Sequence, residues 1–472
     1  MKLFQRMLVA GASMSLIAPT LVQASDKINL EEITNYSSSQ EIDHTSFSDQ
    51  AIEEIVSTDQ LDLENNDFEA GGFSDTTVLS GKSIFAIGGL ENESGDLSEV
   101  IDFNYTYQMN LNTSFSGDDN LYVRLKSGNT TKNVDPFGTS ADGSYLSSTN
   151  TNGDVLKVDK IWYQFPVGEN NTFWIGPRIE NYYMHGASPS IYSPTLKQFK
   201  LGGNGAAYGA STDSGVGWAY NAENGFSISS NIVSKGGLES AVPAVTQTTA
   251  TVRITDAAVA GADPAANDNA AAKATKIAAQ TVDAIVTEDA VVTAAIPASP
   301  KGFLTGEAAT NWSTQVAYTT DRYHVSALVA LKYNDWEDSY YSTTAGKART
   351  DGSTNYGLRA YWRPEDSGSV VPEVSVGYDT STIQDQDANT DAYFVGLTWK
   401  DTFQASDKIG VAFGRPQTSS AEAEDPFTWE AYYSFKPNDS MEIRPTVFGY
   451  ESARGIADRD YTGVVLETTF KF

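Results

Sequence analysis

The sequence predicts an all-β protein: a transmembrane antiparallel β-barrel of about sixteen strands. Three observations point there. Long segments alternate apolar and polar residues, their connections alternate short and long, and an export-type N-terminus is paired with an alternating last strand that stops at Phe472.

The alternation is clearest from Phe103 to Phe115. Phe103, Tyr105, Tyr107, Met109, Leu111 and Phe115 fall on one face, and Asn104, Thr106, Gln108, Asn110, Asn112 and Ser114 on the other. A period of two over this length places one face in an apolar medium and the other in water. Strands of soluble sandwiches run about 5–6 residues, whereas a tilted membrane strand needs ~9–11. The pattern recurs at Tyr356-Leu358-Ala360-Trp362, Tyr393-Val395-Leu397-Trp399 and Phe427-Trp429-Ala431-Tyr433-Phe435. Trp and Tyr near the ends of these faces match the aromatic girdles of membrane barrels.

The connections sort into two classes. Short ones are expected at 116–120, 168–171, 221–224, 320–322, 365–369, 401–407 and 437–439. Longer ones fall near 88–100, 130–153, 180–214, 236–310, 335–353, 382–390, 417–426 and 452–460. Membrane barrels have short periplasmic turns and longer external loops, so the sorting assigns each connection a side and both barrel termini to the periplasm. The segment 180–220 is the hardest to parse, and the strand count carries a margin of two there.

At the N-terminus, Lys2 and Arg6 precede a largely apolar run from Met7 to Leu21, interrupted by Pro19, and then Val22-Gln23-Ala24. This is the pattern of a signal peptide, residues 1–24, cleaved near Ala24. Residues 25–72 read as an acidic periplasmic extension, because Asp26 to Asp75 holds one basic residue, Lys27, and too little apolar surface for a core. The barrel is expected over 73–472. Within it, 240–300 is an Ala/Thr/Val-rich low-complexity insert, assigned by the alternation to an external loop. It reads either as a flexible or partly helical surface loop or as an element contacted by phage or neighbouring cells. In the last strand Val464, Leu466, Thr468, Phe470 and Phe472 share one face. A terminal strand of this kind is similar to the signal, here Phe470 and Phe472, by which barrels are handed to their assembly machinery.

Composition narrows the function classes. The formal net charge is −30, from 61 acidic and 31 basic residues, which disfavours nucleic acid as a partner because phosphate binding needs clustered positive charge. The chain has no cysteine, so thiolate metal sites and disulfides are both excluded. Its three histidines, His44, His185 and His324, have no metal-ligand spacing, and no nucleophile, base and orienting acid assemble around them. No enzymatic role and no cofactor is expected.

Three runs carry a family resemblance. They are Leu111-Asn112-Thr113-Ser114-Phe115-Ser116-Gly117-Asp118-Asp119-Asn120-Leu121, continuing to Arg124, Leu125, Gly128 and Asn129; Asp159-Lys160-Ile161-Trp162-Tyr163-Gln164-Phe165-Pro166 with Trp174-Ile175-Gly176-Pro177-Arg178; and Ile409-Gly410-Val411-Ala412-Phe413-Gly414-Arg415-Pro416. In these the chain resembles the cyanobacterial outer-membrane porins related to the OprB-type carbohydrate-selective group, also labelled iron-uptake porins. The resemblance covers most of Ser74 to Phe472 apart from the insert, and its motifs are scaffold motifs, poor guides to substrate. Many relatives carry a surface-layer-homology domain and a coiled-coil spacer before the barrel. Thr45-Ser46-Phe47-Ser48-Asp49 looks like the opening of such a domain, but the barrel follows too soon for the remainder, which puts wall anchoring by that route in doubt.

The resemblance implies a homotrimer in outer-membrane lipid, passively conducting small hydrophilic solutes: inorganic ions, iron among them, and carbohydrates. A structural or surface-interaction barrel with a blocked lumen is the alternative. Pore-lining candidates on or beside inward positions are Arg124, Lys126, Lys160, Arg178, Lys332, Arg359, Arg363, Lys436 and Arg444, with Arg415 and Lys471. Charges facing lipid cost about 2–4 kcal/mol at mid-bilayer, so inward placement alone does not assign them a role. A ring of them would set selectivity as in other channels. The long loop from Glu180 to Asn204 offers Tyr182, Tyr183, His185, Tyr192, Lys197 and Lys200 as constriction candidates. Its aromatics would stack on sugar rings and its lysines favour anions, or the same residues pack the loop against the wall.

Overall fold

The computed structural model describes residues 76–92, 100–131, 135–138, 143–203, 207–208, 212–235, 299–303, 305–306, 308–334, 336, 352–365, 370–384 and 389–472, together with five short strands between 237 and 293. The expected signal peptide and acidic extension, with His44, and most of the insert lie outside the described residues. Two units divide the chain: the barrel, and residues Gly237–Gly302.

Sixteen antiparallel strands close the barrel. They are β1 (Thr77–Asn92), β2 (Asp102–Thr113), β3 (Asn120–Gly128), β4 (Lys157–Val167), β5 (Asn171–Ile179), β6 (Asp213–Asn221), β7 (Phe226–Ser234), β8 (Thr310–Thr319), β9 (Tyr323–Tyr333), β10 (Gly352–Trp362), β11 (Glu373–Ile383), β12 (Asn389–Lys400), β13 (Lys408–Ser419), β14 (Phe427–Asn438), β15 (Met441–Glu451) and β16 (Tyr461–Lys471). Each pairs with its sequence neighbours, and β1 pairs with β16, so no edge is left unpaired. With no water in hydrocarbon to satisfy a backbone amide, closure is what makes a membrane sheet viable.

The faces follow the alternation. On β2 the asparagines, Thr106 and Gln108 are buried inside, while Phe103 is 61% exposed outside. On β10, Ser353, Asn355, Gly357, Arg359 and Tyr361 point inward and Tyr356, Leu358 and Trp362 outward. The exposed apolar side chains recur on strand after strand, among them Ile175, Trp312, Val325, Leu358 and Tyr378. That is a belt rather than isolated surface residues, as a lipid-facing wall requires.

The connections also alternate as expected, except that length fails to sort one pair. The β10–β11 turn takes residues 363–372, whereas β11 and β12 stay paired up to Thr382↔Asn389 and leave only 384–388 as their loop. Ladder pairing there consumes residues that turn-like composition assigns to the loop.

Aromatic side chains crowd the short-turn end. Phe115, Tyr163, Phe165 and Phe173 follow one another at ring distances of 6.4, 5.6 and 5.8 Å, and Phe403, Tyr433 and Phe435 at 5.6 and 5.5 Å. Phe472 joins this rim at the barrel seam. Its backbone exchanges two hydrogen bonds with Gly81, at 2.7 and 3.0 Å, and its ring stacks on Tyr107 at 6.0 Å. A Cβ on Gly81 would sit 2.8 Å from the Gln108 carbonyl as well as 2.6 Å from that ring, so glycine suits this close approach. Phe470 meets Phe85 at 5.4 Å. The two terminal phenylalanines thus clamp the last strand onto the first.

Residues Gly237–Gly302 form their own unit of antiparallel ladders: Gly237–Glu239 with Ser299–Lys301, Val245–Gln247 with Val291–Thr293, and Ala250–Val252 with Ile285–Thr287. The register is that of one long hairpin stem. The β-branched Val, Ile and Thr in these segments suit extended backbone, and the described part of the insert is strand rather than helix.

Candidate functional site

The lumen is crossed by a strap. Residues 180–212, between β5 and β6, open with Glu180 and a 3-10 turn at Asn181–Met184. The chain first packs on the wall beside its own strands. His185 Nδ1 lies 3.1 Å from Ser229 Oγ on β7, and Ala187 exchanges two hydrogen bonds with the Gln315 amide on β8, at 3.2 and 3.1 Å. It then leaves that wall. Ile191 N–H donates to Ser375 Oγ on β11 at 3.2 Å, and Thr195 Oγ1 meets Thr446 Oγ1 on β15 at 2.9 Å.

Glu430 on β14 anchors the far end. Its carboxylate accepts from the Leu196 N–H at 2.6 Å, the Thr195 N–H at 3.1 Å and the Tyr192 hydroxyl at 2.9 Å. A buried carboxylate and two buried backbone donors are each costly alone and satisfy one another here. On the way back the Leu201 carbonyl accepts from Arg359 Nε at 2.8 Å. Inward glycines on adjoining strands give the strap its bed. A Cβ at Gly377 would meet the Gly202 carbonyl at 1.9 Å, and one at Gly396 would meet the Tyr192 ring at 2.7 Å. Small residues mark where backbone approaches backbone.

A second loop, 129–156, also folds inward and pairs with the strap. Ser147 N–H donates to the Thr195 carbonyl at 2.7 Å and Lys197 N–H to the Tyr145 carbonyl at 2.8 Å. Ser148 donates to Glu467 on β16, and the Phe137 ring meets Phe448 edge-on at 6.4 Å. Two apolar clusters result. One joins Tyr182, Tyr183, Met184 and Leu201 to Tyr122, Trp162 and Trp174; the other joins Tyr192, Leu196 and Phe199 to Phe137, Phe394, Tyr432 and Phe448.

The basic residues are organised by this strap. Arg124 forms an ion pair with Asp159 at 2.5 Å and donates to the Tyr183 hydroxyl at 3.3 Å. Lys160 forms an ion pair with Glu180 and lies 4.8 Å from the centre of the Tyr183 ring. Burial works against the Glu180 carboxylate, but Lys160 and Arg124 hold its pKa down to about 2. Arg359 makes a two-pronged contact with Asp379, at 2.9 and 2.8 Å, beneath the Tyr208 ring. Arg444 bonds Glu442 at 2.8 Å and stacks on Tyr432, with Ser193 of the strap 3.5 Å away. Lys332 is buried near the long-loop end of β9. Lys436 and Lys471 are half-buried at the short-turn end.

Three expectations are corrected. Arg178 does not line the pore. A β-bulge between Gly176 and Ile179 turns Ile179 inward and leaves Arg178 exposed, opposite the outward Ile161, with its Nε 3.1 Å from the Asp159 carbonyl. Arg415 likewise faces outward, opposite Tyr393, in ion pairs with Asp391 and Asp425 at 3.3 and 2.8 Å. Nor do the remaining cations form a simple ring. Arg359 is consumed by Asp379 under the strap, whereas Arg363 sits past the end of β10, 3.8 Å from Glu373, which Lys400 also contacts at 2.9 Å.

The loop candidates all lie inside the barrel. Tyr182, Tyr183, His185, Tyr192 and Lys200 are buried and Lys197 half-buried. Burial pushes His185 down to about 3, so it is neutral at physiological pH and adds no charge to the lumen. His324 stacks on Tyr361 at 4.7 Å. Among the described residues no cluster of three or more His, Asp or Glu is arranged to hold a metal ion. The alternating pattern does not reveal Glu430, Asp379, Gln315 or the inward loop 129–156. The one acid in the inward row Thr428, Glu430, Tyr432, Ser434 and Lys436, and inward glycines on neighbouring strands, were the available signals.

Known proteins place this geometry. The uncharacterized protein alr4550 of Nostoc sp. is 24% identical over 443 residues, spanning 88% of this chain and 68% of that protein. The uncharacterized protein sll0772 of Synechocystis sp. is 30% identical over 125 residues, 26% of this chain and 22% of that protein. Among solved structures, a high-pH structure of Pseudomonas putida OprB aligns over 84% of this chain and 94% of its own, with a TM-score of 0.54 at 11% identity, a likeness of fold. The family model described as carbohydrate-selective porin, OprB family, matches residues 52–472. With a closed sixteen-strand barrel, a polar inner face and that match over most of its length, the chain belongs to the OprB family of carbohydrate-selective porins.

Proposed function

We propose that the protein is a passive diffusion channel of the outer membrane for small hydrophilic solutes, inorganic ions including iron and carbohydrates among them, with selectivity set by the strap. The carrying observation is the strap itself: a lumen lined by Ser, Thr, Asn and Gln is narrowed by a loop held at both walls, with loop 129–156 packed against it. A solute passing it meets the half-buried side chains of the strap, Lys197 among them, and the sorting is by width and field. The channel has no need of catalysis or cofactor. Export by a signal peptide cleaved near Ala24, delivery by the barrel-assembly machinery through Phe470 and Phe472, an acidic periplasmic extension over 25–72, and assembly as a homotrimer in lipid complete the reading.

One observation favours the alternative of a structural or surface-interaction barrel. Nearly every inward side chain on the described strands is buried, because the strap and loop 129–156 occupy the barrel. Planar-bilayer recording of the refolded full chain separates the two. Stable ohmic steps support the channel, and an electrically silent barrel of native heat-modifiability overturns it.

A further inference from the structure

We propose that the near end of the strap is an acid-sensitive latch: protonation of His185 releases His185 to Ala187 from the β7–β8 wall and gives the channel a second conductance level. The inference rests on the channel reading above and adds regulation to it.

The latch is a compact set of contacts around one wall residue, Asn231. Its amide nitrogen donates to the Asn181 carbonyl at 3.1 Å and lies 3.4 Å from His185 Nδ1, which is also 3.1 Å from Ser229 Oγ. Its amide oxygen accepts from Ser313 Oγ at 2.9 Å. On β8, Gln315 holds both backbone groups of Ala187 and donates to the Tyr208 hydroxyl at 2.8 Å. The Asn181 amide closes the set by donating to the Tyr208 carbonyl at 2.6 Å. Strap and wall are thus joined through a few neutral groups, with the imidazole among them.

The imidazole fits this setting only when neutral. It is 4% exposed, and its Nε2 has no hydrogen-bond partner among the described residues. A proton added to the ring makes both nitrogens donors. Nε2–H then has no acceptor, and Nδ1–H faces the Asn231 amide nitrogen, itself a donor, with Ser229 Oγ left to accept.

Nor does a countercharge face the ring. The inward rows of β5, β7 and β8 carry no titratable side chain, and that of β6 has only Asp213, at its long-loop end. On the strap, Glu180 is held by Lys160, and the Tyr182 and Tyr183 hydroxyls turn to Glu180 and Arg124. Tyr208 meets the imidazole edge-on at 5.6 Å, and the charge over the Tyr208 ring is Arg359, a cation already paired with Asp379. An imidazolium without a partner is costly in such a site, and release to water removes the cost. From Ser188 to Gly203 the strap holds no histidine, so this titration acts on the near end alone.

Burial holds His185 down at about 3 in the seated strap, against 6.5 for a free side chain. The seated form is therefore fully favoured above pH 6.5, and its advantage shrinks tenfold per pH unit below that until the seated value is reached.

The test records single channels of the full chain in planar bilayers as pH is lowered from about 7 to about 5, where histidine is the ordinary titrating side chain. Time spent in the second level relative to the main one should rise by up to roughly tenfold per pH unit. His185→Gln, which hydrogen-bonds without titrating, should show no such rise, and His324→Gln should keep the wild-type response. NMR of the micellar wild type reads the latch itself. The His185 ring should titrate with a midpoint well below 6.5, and the Ala187 amide resonance should move with the same midpoint. A pH-independent ratio, an unchanged rise in His185→Gln, or an Ala187 amide that stays in place while the ring titrates overturns the latch. An electrically silent barrel would sink the channel reading, and the NMR arm would still decide the latch.

Discussion

The short-turn rim and the strap are built on opposite principles. At the rim one device occurs twice. In the β2–β3 turn, Asp119 accepts from the backbone N–H groups of Phe115 and Ser116 at 2.9 and 2.7 Å and from the Tyr163 hydroxyl at 2.7 Å. In the β12–β13 turn, Asp407 accepts from the N–H groups of Thr402, Phe403 and Gln404 at 2.7, 2.9 and 3.1 Å and from the Tyr433 hydroxyl at 3.0 Å. In each case the tyrosine lies on the next strand but one in sequence, Phe of the turn packs on it, and a stacked Phe follows two residues later. The strap has no such repeat. Tyr192 and Glu430 are 238 residues apart, and Thr195 and Thr446 are 251. A turn closes on its neighbours, whereas the strap depends on partners that only the closed barrel brings within reach.

The largest effect should come from the side of the strap that rests on a buried ion pair. Arg359→Ala leaves Asp379 buried without its countercharge and frees the Leu201 carbonyl. Breaking such a pair costs about 3–5 kcal/mol, so the variant should unfold at markedly lower denaturant concentration and conduct with more noise. Arg359→Met with Asp379→Leu should regain most of the stability, because the pair's desolvation roughly offsets its attraction. Unchanged stability in the single variant would show that the strap is not seated on this pair.

A smaller effect is expected at the rim, and it carries a pH signature. Burial opposes ionisation at both Asp119 and Asp407. The donors outweigh it (Tyr163, Ser116 and Ser114 for the first; the three backbone N–H groups and Tyr433 for the second), so both carboxyls lie below their ordinary value of 3.8. A carboxyl whose pKa falls on folding adds stability that is complete above the unfolded value and is lost as pH drops through the folded one. Asp119→Asn and Asp407→Asn should therefore both lower stability at neutral pH and narrow the gap to wild type below pH 3.8, Asp119→Asn by the larger amount. Denaturant titrations at both pH values check this. A pH-independent difference in either variant would break the likeness of the two turns.

The smallest effect should come from Arg178→Gln. With the side chain outside the lumen, single-channel conductance and reversal potential should match wild type. A shifted reversal potential would return Arg178 to the pore.

The same contrast explains what the sequence made legible. The period of two placed Phe103 outside and Asn104 inside, and turn residues such as Gly117-Asp118 located the ends of strands. These are local rules, so strand number and the faces of most inward residues could be read directly. Arg178 misled because a single bulge flips the face of every later residue in its strand, and nothing in Gly176-Pro177-Arg178 fixes whether the bulge falls before or after the arginine. Tyr182, Tyr183, Tyr192 and Lys200 could be assigned to an inward loop through the resemblance to porins, in which a loop at this position often folds inward. Their partners could not, since Glu430 looks like any inward acid until the strap is laid across it.

The strap is fixed across the lumen with Thr195 against Thr446. The chain has no cysteine, so Thr195→Cys/Thr446→Cys introduces the only thiols, and their present hydroxyl oxygens are 2.9 Å apart. Mild oxidation of the refolded variant, followed by mass spectrometry of the bridged peptides and bilayer recording, reads position and function together. A strap held as described gives complete disulfide formation with conductance at the wild-type level. Free thiols after oxidation, or a bridged channel whose conductance collapses, would contradict it.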